Sequence, residues 1–153
     1  MEKLDSMKLE DQLCFPLYAC AREIVKAYRP SLEALGLTYT QYITMMVLWE
    51  ENRVSVKDLG RRLHLDSGTL TPLLKKLEEK GYLQRERSTK DERVVIASIT
   101  GNGVRLRTQA AAVPAAISRL LGDFSATESD QLYRLLYHLM DILDQGDKKE
   151  TKK

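Results

Sequence analysis

Two helix-start signals, Ser55-x-x-Asp58 and Asp66, stand 11 residues apart, and the apolar period changes as soon as the second helix ends at Gly81. A side-chain oxygen at a cap accepts from backbone N–H groups that the first turn leaves unpaired, so each signal marks where a helix begins. Val56, Leu59 and Leu63 give a short helix that stops at His64-Leu65-Asp66, and Leu70, Leu73, Leu74 and Leu77 carry the next one to Gly81. Two short helices joined by so tight a turn read as a helix-turn-helix. Residues 82–87 and 94–99 are extended-type runs, and the polar segment between them, Ser88-Thr89-Lys90-Asp91-Glu92-Arg93, suits a hairpin tip. Helix-turn-helix followed by a hairpin with basic residues at its tip predicts a winged helix over residues 53–100. In that arrangement the second helix enters a DNA major groove and the wing reaches a backbone or minor groove.

Helical patterns flank that unit. Leu13, Leu17, Cys20, Ala21, Ile24 and Tyr28 recur at three- and four-residue spacing, with Arg29-Pro30 marking a bend or end. Thr38-x-x-Gln41 is a capping box opening a helix to Glu51, with Ile43, Met46 and Val47 on one face. Thr100-Gly101 opens a fifth helix bearing Leu106, Ala110, Val113, Ile117 and Leu120, kinked at Pro114 and closed by Gly122-Asp123. Ser125-x-x-Glu128 starts a sixth, whose Leu132, Leu135, Leu136, Leu139, Ile142 and Leu143 form a wide apolar face; the charged tail from Asp147 frays. The expectation is a mainly α fold of about six helices plus a two-stranded β wing, one domain over residues 1–153. The stripes at 8–35 and 101–146 need cover. Packing them against the same helices of a second copy gives a homodimer whose paired wings match a palindromic site; folding back on their own subunit is the alternative.

Composition narrows the function classes. At 30% charged and 43% hydrophobic the chain suits a folded domain, and no apolar run approaches the ~20 residues of a membrane span. The charged start Met1-Glu2-Lys3-Leu4-Asp5 lacks a secretory pattern, so a cytoplasmic protein away from membranes is expected. Between Arg53 and Thr100 stand 11 Lys+Arg against 7 Asp+Glu, leaving 13 against 15 elsewhere. The positive excess thus falls where a polyanion would be gripped, although an ordinary solvated surface also carries such charge. Cys14 and Cys20 come with no Cys-x-x-Cys and no His cluster, so neither metal nor other cofactor is expected. On one helix they would point about 240° apart and could not bridge.

The strings Leu13-Cys14-Phe15, 37–42, Leu48-Trp49-Glu50, 65–78 and Arg85-x-Arg87-Ser88-x-x-Asp91-Glu92-Arg93 resemble the MarR family, and more narrowly its organic-hydroperoxide-sensing repressors, over residues 7–143. The resemblance implies a homodimeric repressor of double-stranded DNA with a pseudo-palindromic operator, not an enzyme. It implies that an organic hydroperoxide oxidises Cys14, that Tyr28 and Tyr39 hydrogen-bond its sulfur across the dimer interface, and that the oxidised repressor leaves DNA. The chemistry agrees, because a thiol attacks peroxide as thiolate, and a helix N-terminus with hydroxyl donors stabilises negative sulfur. Pro16 independently puts Cys14 near a first helical turn. A buried small hydrophobe is the plain alternative for Cys14 and the expectation for Cys20. With no cysteine after Cys20 to resolve it, a sulfenic acid at Cys14 would be capped by a small cellular thiol or over-oxidised. Tyr28 and Tyr39 could equally be packed interface aromatics, as Tyr18 and Tyr42 are expected to be.

On the DNA side, Ser67, Thr69, Thr71, Lys75 and Lys76 fall on the exposed face of the second reading helix. The resemblance starts that helix near Asp66, which leaves Pro72 inside it with a distorted second turn. Arg93 matches the wing arginine that enters the minor groove, oriented by Asp91, with Lys90 at the same tip. Alternatives are a MarR-type repressor released by a small phenolic ligand, a broader redox-responsive regulator, and a cysteine peroxidase.

Overall fold

The computed structural model of the chain describes residues 7–150. Within them a 3₁₀ turn, Leu9–Asp11, precedes seven α-helices and three strands: α1 Cys14–Glu33, α2 Tyr39–Glu51, β1 Arg53–Ser55, α3 Val56–Leu63, α4 Ser67–Glu79, β2 Leu83–Arg87, β3 Val95–Ile99, α5 Gly101–Ala110, α6 Val113–Leu120 and α7 Ala126–Glu150. The chain forms two compact units, the first running to Ala116 and the second from Ile117. No described helix is long and apolar enough to cross a membrane.

Local chemistry starts most of these helices where the sequence places them. Thr38 Oγ1 accepts from the Gln41 amide while Gln41 Oε1 accepts from the Thr38 amide, closing the capping box of α2. Ser55 accepts from the Asp58 amide at 3.0 Å to start α3, and Asp66 from the Thr69 amide at 2.8 Å to start α4. Thr100 caps α5, and Ser125 with Glu128 makes the reciprocal box at the head of α7. Leu59, Leu70, Leu74, Leu77 and Leu83, all essentially solvent-free, join Leu32, Met45, Leu48 and Leu106 in the core of the first unit. Burying an aliphatic side chain of this size stabilises by about 1.5–3 kcal/mol, which sets α3 and α4 against the α2 scaffold.

Three expectations need correction. The wing is not an isolated two-stranded ribbon, because β1 pairs antiparallel with β3 and gives a sheet in the order β1-β3-β2. Val54 stands opposite Ala97 in that pairing, and both are buried, so a three-residue strand is held by a partner 43 residues away. The fifth helix is two helices, since α5 ends at Ala110 and α6 restarts at Val113. Pro114 explains the break: it has no N–H to donate to Ala110 and its ring would strike that carbonyl, whereas it fits the first turn of α6. Conversely, Arg29-Pro30 does not end α1, which continues to Glu33 and buries Leu32 at 2% exposure. The end comes at Gly36, whose φ of +66° lets the Leu37 amide turn back to the Leu32 carbonyl at 2.9 Å. α4 likewise runs unbroken through Pro72.

The second unit holds the length of α7. Leu132, Leu135, Leu136, Ile142 and Leu143 are each at least a third exposed there, as are Leu13 just before α1 and Phe15, Ile24 and Val25 on α1 of the first unit. Both apolar stripes are thus largely uncovered by the chain itself. The charged tail expected to fray is helical to Glu150, and residues 151–153 lie outside the described ones.

Candidate functional site

The amphipathic pattern of α4 turns one face to the core and the other to solvent. Leu70, Leu73, Leu74 and Leu77 are buried, while Ser67, Thr69, Thr71, Lys75 and Lys76 are exposed. Lys90 and Arg93 are exposed on the wing. Arg93 is held rather than loose: its Nε and Nη2 donate to the two Asp91 carboxylate oxygens at 3.0 and 3.1 Å, and its amide donates to Oδ1 at 3.1 Å. These bonds keep the Asp91 carboxyl below the usual carboxylate range. The turn itself is closed by Ser88 N–H to the Val94 carbonyl and Val94 N–H to the Asp91 carbonyl.

Ser67 and Arg93 line one cleft between α3, the start of α4 and the base of the wing; Thr69, Thr71, Lys75, Lys76, Lys90 and Asp91 do not line it. Lys57 and Arg61 of α3 line the same cleft, and in the sequence they show only as part of a charge excess. Position in the first and last turns of α3 was the available signal. A second device also went unread: Glu78 near the end of α4 accepts the Arg85 amide at 2.8 Å and its guanidinium at 2.9 and 3.3 Å. This pair, which lowers the Glu78 pKa, staples strand β2 to α4.

The thiol belongs to a different element. Cys14 is the first residue of α1, exposed, with Pro16 in the same turn; Leu13 precedes it without a side-chain cap, and the Phe15 amide donates to the Gln12 carbonyl at 3.1 Å. Cys20 is exposed too, where a packed residue was expected, because the stripe it shares is uncovered. Tyr28 and Tyr39 are brought together, their rings 5.0 Å apart and tilted by 60°, with Tyr42 5.9 Å from Tyr28. Burial raises the pKa of all three, with neighbouring tyrosines adding to it for Tyr28 and Tyr42, so their hydroxyls stay protonated donors at neutral pH. Tyr42 is a core residue at 4% exposure, whereas Tyr18 is 60% exposed and accepts from Arg22. Cys14 and Tyr28 are 14 residues apart on one helix, about 21 Å of axial rise, so they cannot meet within a protomer.

The family model for the SarA/Rot transcriptional regulators matches residues 26–108. An organic hydroperoxide resistance transcriptional regulator of Bacillus subtilis (strain 168) is 46% identical over 143 residues, covering 94% of this chain and 97% of the relative. The chain belongs to the MarR-like SarA/Rot family of winged-helix regulators. Among solved structures, reduced AbfR bound to DNA is 39% identical with a TM-score of 0.78, covering 94% of this chain and 98% of that one. Overoxidized AbfR bound to DNA is 40% identical with a TM-score of 0.70, covering 90% and 99%; AbfR is a Staphylococcus epidermidis protein.

Proposed function

We propose that the chain is a homodimeric repressor that holds a pseudo-palindromic operator while Cys14 is reduced and leaves it once an organic hydroperoxide has oxidised Cys14. The observation that carries this reading is the exposed Cys14 at the first turn of α1, in a chain 46% identical along its length to an organic hydroperoxide resistance regulator. The Cys14 thiolate attacks the terminal peroxide oxygen, the O–O bond breaks, and the departing alkoxide takes a proton to leave as alcohol, giving Cys14–SOH. The helix N-terminus and two phenol donors favour the negative sulfur that this step needs. Tyr28 lies about 21 Å up the same helix and the Tyr39 ring packs beside it, so in this reading the two phenols come from a second copy, which the uncovered α1 and α7 stripes also call for.

AbfR is seen bound to DNA in both its reduced and its overoxidized form. For this chain, release is assigned to a capped Cys14. A small cellular thiol attacks the sulfenic sulfur, water leaves, and a mixed disulfide too large for the interface remains. Replacing Tyr28 or Tyr39 by Phe keeps the ring and removes one donor, so hydroperoxide should consume Cys14 several-fold more slowly at neutral pH, read by thiol loss; an unchanged rate would remove the tyrosines from the site.

On DNA, α4 presents Ser67, Thr69 and Thr71 to base edges and Lys75 and Lys76 to phosphates, while Arg93 enters the minor groove beside Lys90. Arg93→Ala should weaken operator binding about 10-fold and flatten its salt dependence while leaving the protein folded, because only an exposed cation is lost. Operator titrations at several salt concentrations check this, and an unchanged affinity would take Arg93 out of the interface.

A further inference from the structure

Three helix ends meet at one side chain. Lys80 is the C-cap of α4, the proposed reading helix, and its ammonium donates to the carbonyl of Gly36, the residue that turns the chain out of α1. The same Nζ lies 3.4 Å from Gln41 Oε1, the atom that accepts the Thr38 amide and completes the capping box of α2. A cation at the carbonyl end of a 20-residue helix is favoured by the helix dipole, and Gln41 is buried, so the ammonium of the exposed Lys80 bridges two structured helix ends. Its partners are 44 and 39 residues away in sequence.

The tyrosine pair sits on the same corner. Tyr39 is the first residue of α2, between the two capping-box partners, and its ring packs on Tyr28 of α1. Anything that moves the Tyr39 ring acts on the turn whose Gln41 contacts Lys80. From α1 to α4 the contacts are then continuous: Tyr28 on Tyr39, the first turn of α2, Gln41 and Gly36 on Lys80, and the end of the reading helix.

We propose that Lys80 is a positioning residue that couples the α1–α2 tyrosine corner to the set of α4 on DNA, so that a change at the thiol site reaches the reading helix through its ammonium. This rests on the functional reading above, in which capping Cys14 lowers operator affinity. A coupling of this kind changes affinity by roughly 5- to 150-fold, and loss of the tie should remove most of it.

The test compares the wild type with Lys80→Met, which keeps chain length and loses the donor, and Lys80→Arg, which keeps a cation. Affinity for a duplex selected by the wild type from randomised DNA is measured before and after treatment with cumene hydroperoxide plus cysteine, alongside the rate of Cys14 loss. Lys80→Met should bind within about threefold of wild type when reduced and lose Cys14 at the wild-type rate, yet show a ratio of capped to reduced Kd at least about fivefold smaller. Lys80→Arg should restore the ratio. A Lys80→Met protein that melts lower but keeps the wild-type ratio would make the contact purely structural and overturn the proposal. A wild type that is capped at Cys14 and keeps its DNA would instead contradict the functional reading, and the coupling with it. Should Lys80→Met fail to fold, hydrogen exchange in the wild type decides: capping should speed exchange together at the Gly36 and Leu37 amides and at the Lys80 to Tyr82 amides. A change at the first pair with none at the second would overturn the tie.

Discussion

Cys14→Ser should bind the operator as tightly as wild type, within about twofold, and lose the whole response to organic hydroperoxide, while Cys20→Ser should keep both properties. Serine differs from cysteine at one atom and leaves the exposed first turn of α1 undisturbed, so folding and the α4 surface have no reason to change. What it removes is the only step that breaks the peroxide O–O bond, because a serine hydroxyl does not ionise to an equivalent nucleophile near neutral pH. Cys20 is also exposed, but six helical steps turn it about 240° from Cys14, away from any pocket built around that thiol. Operator titrations with and without hydroperoxide and a small thiol measure this. Release by hydroperoxide persisting in Cys14→Ser would take the sensor away from Cys14, loss of release in Cys20→Ser would move it to Cys20, and a Cys14→Ser protein that leaves DNA when a phenolic acid is added would favour the phenolic inducer.

Leu136→Glu should dissolve the dimer and reduce operator affinity by about 100-fold or more. Leu136 lies in the apolar stripe of α7, 36% exposed in the single chain, so a carboxylate there is tolerated by the protomer and not by a partner. Buried against a second apolar stripe it would be an unpaired charge, which costs several kcal/mol. Two half-sites held by one dimer also bind the second at high effective concentration, and that gain of 10²- to 10⁴-fold disappears with the monomer. Leu139, less exposed, carries the same expectation with more cost to its own helix. Light scattering of Leu136→Glu reads the outcome, and a protein that remains dimeric would place the interface elsewhere.

The residues that could be read from sequence are those whose partners lie within a turn of them. The caps at Thr38, Ser55, Asp66, Thr100 and Ser125 each involve an amide three residues away, so the pattern and the bond coincide. Prolines were harder, since the local rule is the same at each and the outcome is not: α1 passes through Pro30 because Leu32 beyond it is buried, while Pro114 divides two helices. Strand β1 is too short to show a period and exists through β3. The Glu78–Arg85 clamp and the Lys80 contacts leave no sequence pattern, because they are made by folding rather than by spacing. Cys14, Tyr28 and Tyr39 are legible through family resemblance, whereas the separation of Cys14 from Tyr28 along α1, on which the proposed second copy rests, follows from the unbroken helix.

The most direct measurement follows one sample of the reduced protein on operator DNA through graded additions of cumene hydroperoxide with cysteine present, reading bound DNA by fluorescence anisotropy and the state of Cys14 by intact mass and peptide mapping. The fraction of DNA released should rise in step with the fraction of Cys14 carrying the disulfide-linked thiol, with Cys20 unmodified throughout. Full release while Cys14 is still a free thiol, or full capping of Cys14 with the DNA still bound, would contradict sensing through Cys14.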